Sequence, residues 1–525
     1  MSGSARRGPK YVPDEVLVRF RPGVPKSWRG IAHAAVQGQV KREYGSIEGL
    51  ELVKLPPGLS VSEAIDRYRR QAEVLYAEPN YPIYPTATPN DPSFGLQWAL
   101  HNIGQSVNGQ PGGTADADID APEAWNITTG SNTVVIAVID TGIGFSVVKD
   151  GTNKVIAYVD DHPDLAANMV QLESNCFDEI NNDGNSIIVN GQPFSLVDDC
   201  RGIDVVSGGA NPPGSSLPPY RTPPAQSSYN TPIDNDNEMG AGFEDGVRHH
   251  GTRTAGIIGA KGNNTPTPTG IAGVNWDVKL LACKALAPGA SFNSTVADAI
   301  QCLDYVIATK NVHPELRFVA TNNSWTLGSS FSQSLFDAIK VQRDNGLLFI
   351  VAADNGLGGT GTDNDVNPVF PATYYLENVI AVAATDRNDN KAGFSNFGRR
   401  TVHLGAPGQD ILSTVRVNAP GPPQVEDGCT AEKQYCFGSG TSFSAPQVSG
   451  VAALLKAQDP NRDWKAIKNL ILAGGDNKSS MATTTISGKR LNAHGALTCA
   501  NSFEPSDVVA TRLLPVANTA TALLN

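Results

Sequence analysis

The chain has 525 residues, of which 40% are hydrophobic and 18% charged, and its formal net charge is −12. No apolar run reaches the roughly 18–20 residues of a membrane helix, and an acidic chain is ill suited to a nucleic-acid surface. The length allows one large α/β domain plus smaller pieces.

Charge is unevenly placed. Residues 1–84 hold 13 Lys/Arg against 9 Asp/Glu, or +4, which leaves −16 for the rest. A basic head on an acidic body suits two parts that dock. The opening MSGSARRGPKYVPDEV has no apolar run of the kind a secretory signal carries.

Residues 11–84 read as a small α+β unit. VLVRF (16–20) alternates as a strand does, WRGIAHAAVQGQV suits a helix, and LELVKL (50–55) is a second strand. Ser60 and Glu63 form a capping box before the helix EAIDRYRRQ. VLYAEPNY (74–81) is a last strand. Alternation on this scale predicts a ferredoxin-like sandwich. Residues 85–115, rich in Pro, Gly and Asn, read as a linker or docking segment.

From Asp116 the pattern changes. Short, strongly apolar runs appear at VVIAVID (134–140), LLACKAL (280–286), FVATNNS (318–324), LLFIVAA (347–353) and VIAVAAT (379–385). Helical segments such as TVADAIQCLDYVIAT (295–309) and SQSLFDAIKVQRDN (332–345) lie between them. Buried strands alternating with helices predict a mainly parallel sheet covered on both faces. Residues 144–160 and 207–248 lack periodicity and read as surface insertions, and 500–525 suggests no element.

Seven cysteines are present, an odd number. Cys176/Cys200 and Cys429/Cys436 are close pairs in polar stretches, so disulfides fit an exported protein and free thiols a retained one. None has zinc-site spacing.

Three short stretches carry chemistry. In VVIAVIDTGIG, Asp140 ends an apolar strand, where ligands of parallel sheets gather. In HHGTRTAGIIGA, His250 precedes Gly-Thr and an apolar helix; His249 is its weaker neighbour. In FGSGTSFSAPQVSG, Pro446 and the apolar spacing from Ala445 predict a helix with Ser442 at its start. A helix N-terminus favours negative charge, and its free N–H groups suit an oxyanion. A serine there commonly just caps the helix; the company of the other two motifs sets this one apart.

The order Asp140, His250, Ser442 resembles the subtilisin-like serine proteases. VIDTGI, HGT followed by TAG, and GTSFSAP are similar to that family's three catalytic motifs; RLNAHGAL (490–497) resembles the end of its catalytic domain, and FPATYYLENVIAVAATDRNDNKAGFSNFG follows its pattern. The resemblance covers roughly residues 89–499, insertions excepted. It implies a three-layer α/β fold with a mainly parallel sheet over residues 116–499, preceded by an inhibitory ferredoxin-like prosegment at 11–84. The implied protein is a secreted endopeptidase made as a zymogen, with its own prosegment as inhibitor and polypeptides as substrates. Cleavage of the prosegment would fall within residues 80–90. The rival is an inactive relative that binds peptides or partners. An esterase would carry G-x-S-x-G, which the serine motif here is not.

The family's roles carry over residue by residue. Ser442 is the implied nucleophile, His250 the base and Asp140 its orienter. LLFIVAADNG resembles the segment that supplies an oxyanion donor, here Asn355. NNSWTLG resembles the substrate-binding edge, with the backbone of Ser324, Trp325 and Thr326 pairing to an extended peptide. Three positions depart from the pattern: Asp354 and Thr326 stand where glycine is usual, and Arg253 replaces a second, non-catalytic histidine. Asp354 implies either a preference for basic residues before the scissile bond or a distorted turn.

No cofactor is implied for the chemistry, but structural calcium is. NNDGN (181–185) followed by VDD (197–199) resembles an acidic calcium loop that includes Asp183 and Asn185, and GNN (262–264) places Asn263 where relatives bind calcium. The insertions are foreign to the family: HPDL waits until 162–165, and SGGANPPGSSLPPYRTPPAQSSYN (207–230) has no counterpart. They are either genuine surface loops or errors in the deduced sequence, such as retained introns.

Overall fold

The computed structural model describes residues 11–81, 87–144, 146–149, 155–159, 162–173, 176, 182–189, 192–196, 199–206, 249–264, 270–286, 294–415 and 434–500. The chain divides into two units, Met1–Pro85 and Thr86–Asn525.

The first unit contains β1 (Glu15–Phe20), α1 (Lys26–Val36), β2 (Gln39–Glu43), β3 (Leu50–Lys54), α2 (Val61–Arg69) and β4 (Val74–Pro79). Its sheet is antiparallel, in the order β2-β3-β1-β4. Val16, Val18 and Phe20 of β1 meet Val53, Ala64, Tyr68 and Val74 in one core. The Ser60 hydroxyl accepts the Glu63 N–H at 3.2 Å and caps α2. The helix expected to run through residue 40 stops at Val36, closed by Gln37 at φ 54°. The chain then enters β2, a strand exposed at every position. An edge strand that buries nothing shows no alternation in the sequence.

A buried polar cluster lies under α1. His33 Nε2 sits 2.6 Å from Glu51 Oε2, its Nδ1 2.9 Å from the Tyr68 hydroxyl, and Arg29 donates to Glu51 Oε1 at 3.1 Å. Burial pushes the Glu51 carboxyl up, but the bonds from His33 and Arg29 outweigh it and hold it below its ordinary value of 4.5. The ionised carboxylate therefore stabilises the folded unit above that value, and the contribution is lost as pH falls through the lower folded value. Denaturant stability followed from about pH 6 down to about pH 3 should show an acid limb that Glu51→Gln flattens. An unchanged limb in the variant would remove Glu51 from the account.

The second unit contains α3 (Ala121–Trp125), β5 (Gly130–Asp140), β6 (Ser146–Lys149), β7 (Val155–Val159), β8 (Ser186–Val189), β9 (Gln192–Ser195), β10 (Gly202–Asp204) and α4 (His250–Gly259). Next come β11 (Asp277–Lys284), α5 (Val296–Val312), β12 (Arg317–Asn323), α6 (Gln333–Asp344), β13 (Leu348–Ala352), β14 (Val379–Thr385), β15 (Leu404–Pro407), β16 (Ile411–Thr414) and β17 (Tyr435–Gly438). The last elements are α7 (Thr441–Gln458), α8 (Trp464–Gly474), β18 (Asp476–Asn477), β19 (Lys489–Arg490) and α9 (Ala493–Thr498). Among the described residues, nine strands form the central sheet in the order β10-β11-β5-β12-β13-β14-β15-β19-β18. It is parallel from β10 to β19, and only β18 runs antiparallel.

Strand β5 shows why both faces must be covered. Val134, Ile136 and Val138 point into a core shared with α4, α7, α8 and α9. Val135, Ala137 and Ile139 point into a second core shared with α5 and α6. All six are at most 1% exposed, and each large side chain so buried contributes about 1.5–3 kcal/mol. Alternation hides in such a strand because neither face is polar. The result is three layers, helix, sheet and helix.

Helix α7 lies under the sheet centre, with Ala445, Val448, Val451, Ala452, Leu454 and Leu455 all buried. Pro446 is its sixth residue, past the first turn where the sequence pattern would put it, and the Ser442 carbonyl that its missing N–H leaves free accepts the Ser324 hydroxyl at 2.9 Å instead. The segment after residue 86 is packed rather than loose: Trp98 is 1% exposed, and its indole N–H donates to the Gln409 and Asp410 carbonyls. Part of 144–160 forms the hairpin β6–β7, and β8–β9 forms another. The insertion at 207–248 and residues 501–525 lie outside the described residues. Among the described residues, no helix is long and apolar enough to cross a membrane.

Disulfides join Cys176 to Cys200 and Cys283 to Cys302, and Cys436 is also disulfide-bonded. Cys429 lies outside the described residues. Cys283 on β11 and Cys302 on α5 give no sign of pairing in the sequence, because each sits in an apolar run and reads as a core thiol.

Candidate active site

Strand β5 ends at Asp140, which is fully buried. Its Oδ1 accepts the Thr141 N–H at 2.8 Å and the His250 Nδ1–H at 2.7 Å. The Thr254 hydroxyl, one turn along α4, lies 3.4 Å from Oδ2. Nδ1–H donation to Asp140 leaves Nε2 as the acceptor of the imidazole. His249 takes φ 56° at the N-cap of α4, which turns His250, not His249, towards Asp140.

Gly251 explains why histidine is followed by glycine. A Cβ there would collide with the Gly142 carbonyl oxygen. The Gly251 N–H instead donates to the Thr141 hydroxyl at 2.9 Å. The Asp loop and the His helix thus meet backbone to backbone.

Ser442 is the second residue of α7, where the N–H groups have no partner within the helix. Its Oγ donates to the Ser324 carbonyl at 3.2 Å, and Ser324 Oγ donates back to the Ser442 carbonyl at 2.9 Å. The next ring, Phe443, stands edge-on to His250 with centroids 6.4 Å apart. Asn355 Oδ1 accepts the Thr441 N–H at 3.0 Å and lies 3.2 Å from its hydroxyl. With the amide oxygen held there, Nδ2 is left to donate on the other side.

The edge 324–326 follows β12. Trp325 turns its indole inward, donating to the Ile139 carbonyl at 3.1 Å and packing edge-on to Phe349. The Thr326 hydroxyl is 3.2 Å from the Phe370 carbonyl and takes the Gly328 N–H at 2.9 Å. Asp354 adopts φ 80°, the left-handed region that glycine usually fills. Its Oδ1 accepts the Asn355 N–H at 2.8 Å. Burial pushes this carboxyl up, against the bonds from Asn355 and the Thr326 hydroxyl. The side chain is engaged locally, by the Asn355 N–H and the Thr326 hydroxyl.

The structure therefore brings Asp140, His250, Ser442, Asn355, Ser324, Trp325, Thr326 and Asp354 to the carboxyl ends of the central strands. Thr141, Thr254 and Thr441, which position the others, lie inside the motifs VIDTGI, TAG and GTSFSAP, but nothing in the sequence alone assigns them that supporting role.

The acidic residues gather elsewhere. Asp183 lies with Glu173 and Asp199, a carboxylate oxygen of each within 4.8 Å of the others. Asn185 donates to Asp199 Oδ2 at 2.9 Å. Of the VDD motif, Val197 and Asp198 lie outside the described residues. Burial and the neighbouring Asp199 push Glu173 up to about 8. Asn263, at φ 58°, belongs to a separate loop: its N–H donates to Asp91 Oδ2 at 2.9 Å, and its Oδ1 accepts the Asn90 N–H at 2.8 Å. Asp91 Oδ1 is buried there without a donor.

Comparison with known proteins agrees with this geometry. Residues 131–489 match the profile described as the Subtilase family, and residues 4–80 match the Fervidolysin N-terminal prodomain. An "Extracellular protease" of Xanthomonas campestris pv. campestris is 30% identical over 418 residues, 78% of this chain and 57% of that protein. The chain thus spans little more than half of that relative's length. A "Thermophilic serine proteinase" of Bacillus sp. (strain AK1) is 27% identical over 496 residues, 93% of this chain and 88% of that one. Among solved structures, a protease from Pseudoalteromonas arctica PAMC 21717 aligns with a TM-score of 0.53 at 24% identity. It covers 79% of this chain and 100% of its own, and supports the fold alone.

Proposed function

The chain belongs to the subtilase family, and from that premise we propose that it is a serine endopeptidase, made as a zymogen and acting outside the cell. The observation that carries the reading is the buried Asp140–His250 pair, 2.7 Å apart, set beside the helix start that holds Ser442. A binding module has no use for a carboxylate that fixes an imidazole next to a helix-terminal serine.

In this reading Ser442 Oγ attacks the scissile carbonyl while His250 Nε2 takes its proton. His250⁺ then protonates the leaving amine, and Asp140 stabilises the cation and keeps the tautomer. The developing oxyanion is held by the Ser442 N–H at the start of α7 and by Asn355 Nδ2. The peptide lies along 324–326 as an added strand. Water attacks the resulting acyl-enzyme by the reverse proton route. The chemistry uses no cofactor. Residues 11–84 act as the intramolecular inhibitor, released by a cut within 80–90. Structural calcium belongs beside Asn263 and Asp91, where Asp91 Oδ1 is buried without a donor, and at the Asp183 cluster, where three carboxylate oxygens lie within 4.8 Å of one another.

The test is covalent labelling by a fluorophosphonate probe after incubation has allowed loss of the head. Labelling of wild type that vanishes in Ser442→Ala is the expected result. A folded, processed wild type that takes no label would favour the rival, a peptide-binding relative whose turn Asp354 has spoiled.

A further inference from the structure

Two side chains beside the nucleophile have no part in the catalytic chemistry. Strands β12 and β13 run parallel, with Ala320 beside Leu348 and Asn323 beside Val351. Carried past the strand ends, that register sets Thr326 opposite Asp354. Side chains alternate along the edge. Trp325 turns inward to the Ile139 carbonyl, whereas Ser324 turns to the other face and donates to the Ser442 carbonyl at 2.9 Å. Thr326 therefore shares the face of Ser324, towards the start of α7. Its hydroxyl bonds to the Asp354 carboxylate and also lies 3.2 Å from the Phe370 carbonyl, so one proton serves both acceptors.

Beyond the strands the two segments part, each tied to a different neighbour. The Leu327 N–H donates to the Phe370 carbonyl at 2.7 Å, and the Phe370 N–H to the Gly328 carbonyl at 2.8 Å. On the other side the Asp354 carbonyl accepts the Asn396 N–H at 3.0 Å, and the Gly356 N–H donates to the Phe394 carbonyl at 2.8 Å. A gap is left between them, and both walls are fastened to the nucleophile's turn. Ser324 exchanges two bonds with Ser442, and Asn355 Oδ1 accepts the Thr441 N–H at 3.0 Å. A peptide laid along 324–326, with its reacting carbonyl oxygen between the Ser442 N–H and Asn355 Nδ2, sends the side chain of the residue being cut into this gap.

Resting on the endopeptidase reading, we propose that Thr326 and Asp354 close this gap from its two sides. The enzyme then cuts after glycine, alanine or serine and rejects aromatic, long aliphatic and basic residues at that position. The two side chains are poorly placed to swing away. Thr326 is β-branched and stiff at χ1, and its hydroxyl takes the Gly328 N–H at 2.9 Å. Asp354 Oδ1 takes the Asn355 N–H at 2.8 Å. A long apolar side chain entering the gap would part the pair and strip the half-buried carboxylate of a donor, which is costly. A lysine would offer Asp354 a charge, but its four-carbon stem needs the room that Thr326 occupies. A methyl or hydroxymethyl group stops short of the pair.

The experiment uses the full chain after incubation has allowed loss of the head, with active sites counted by the fluorophosphonate label. The substrates are peptides that differ only in the residue before the cut: Gly, Ala, Ser, Leu, Phe or Lys. The kcat/KM for Ala should exceed that for Phe and for Lys by about 10–100-fold. Replacing both side chains, Thr326→Gly with Asp354→Gly, should raise the Phe-to-Ala ratio by about 10–100-fold. Asp354 sits at φ 80°, where glycine is unstrained. Asp354→Gly alone should therefore fold, and it should move the ratio the same way even if the double variant does not fold. Three results would overturn the proposal. A wild type that favours Phe or Leu has an open gap. One that favours Lys uses Asp354 as a charge. A Phe-to-Ala ratio unmoved by Asp354→Gly places the selection elsewhere. Absence of label in the wild type would instead strike the endopeptidase reading. The gap is then gauged in Ser442→Ala by fluorescence anisotropy of labelled peptides ending in Ala, Phe or Lys. Tighter binding of the Ala peptide would uphold the closed gap, and tighter binding of either other peptide would overturn it.

Discussion

Ser442→Ala should lower peptide-bond hydrolysis by about 10⁶-fold, the scale of loss when subtilisin itself is stripped of its nucleophile. The substitution removes the attacking oxygen and its 3.2 Å bond to the Ser324 carbonyl, but not the return bond. Ser324 Oγ bonds to the backbone carbonyl of residue 442, so that clasp persists. The first turn of α7 is fixed by its apolar packing, which alanine does not disturb. What survives is transition-state binding by the oxyanion donors, worth about 10³–10⁴ over water. The same variant should accumulate as an uncut chain of full length, visible by mass spectrometry. Turnover within tenfold of wild type would mean that the serine is not the nucleophile.

Asp140→Asn should cost about 10⁴-fold in turnover while leaving the fold intact. Asp140 Oδ1 takes two N–H groups, from Thr141 and from His250 Nδ1. An asparagine can accept both only with its carbonyl oxygen on that side. If the amide nitrogen faces the ring, Nδ1 must become the acceptor and the proton moves to Nε2. The imidazole can then no longer take a proton from Ser442. Even in the favourable orientation, a neutral amide stabilises the imidazolium less than a carboxylate does. Steady-state rates and the rate of fluorophosphonate labelling should fall together. If labelling slows but turnover does not, Asp140 is not the orienting group.

Much of the site is legible in the sequence because its residues sit at the ends of strongly patterned elements. Asp140 terminates a run of buried β-branched residues, and Ser442 opens a helix announced by Pro446. His250 is separable from His249 only by the Gly-Thr after it, and Gly251 shows why: the backbone approach to Gly142 excludes any side chain. The features that stay hidden are of two kinds. Strand β2 and the hairpins β6–β7 and β8–β9 lack a clear periodic signal. The supporting contacts join residues far apart in the chain, as when Thr441 orients Asn355 or Glu173 meets Asp199. The pair Cys283–Cys302 is hidden for the same reason, since each partner lies inside an apolar element that explains it without the other.

The position of α7 has a temporal consequence. It fills the space beneath the sheet, yet it starts at residue 441, and the parallel sheet is completed by a strand at 489–490. During synthesis, the apolar undersides of β5, β12, β13 and β14 are therefore made long before the helix that covers them. A topology so dominated by contacts between distant parts of the chain closes late and slowly. Ser442 is thus made only after the strands whose carboxyl ends surround it, and the interior beneath them stays unfinished until then.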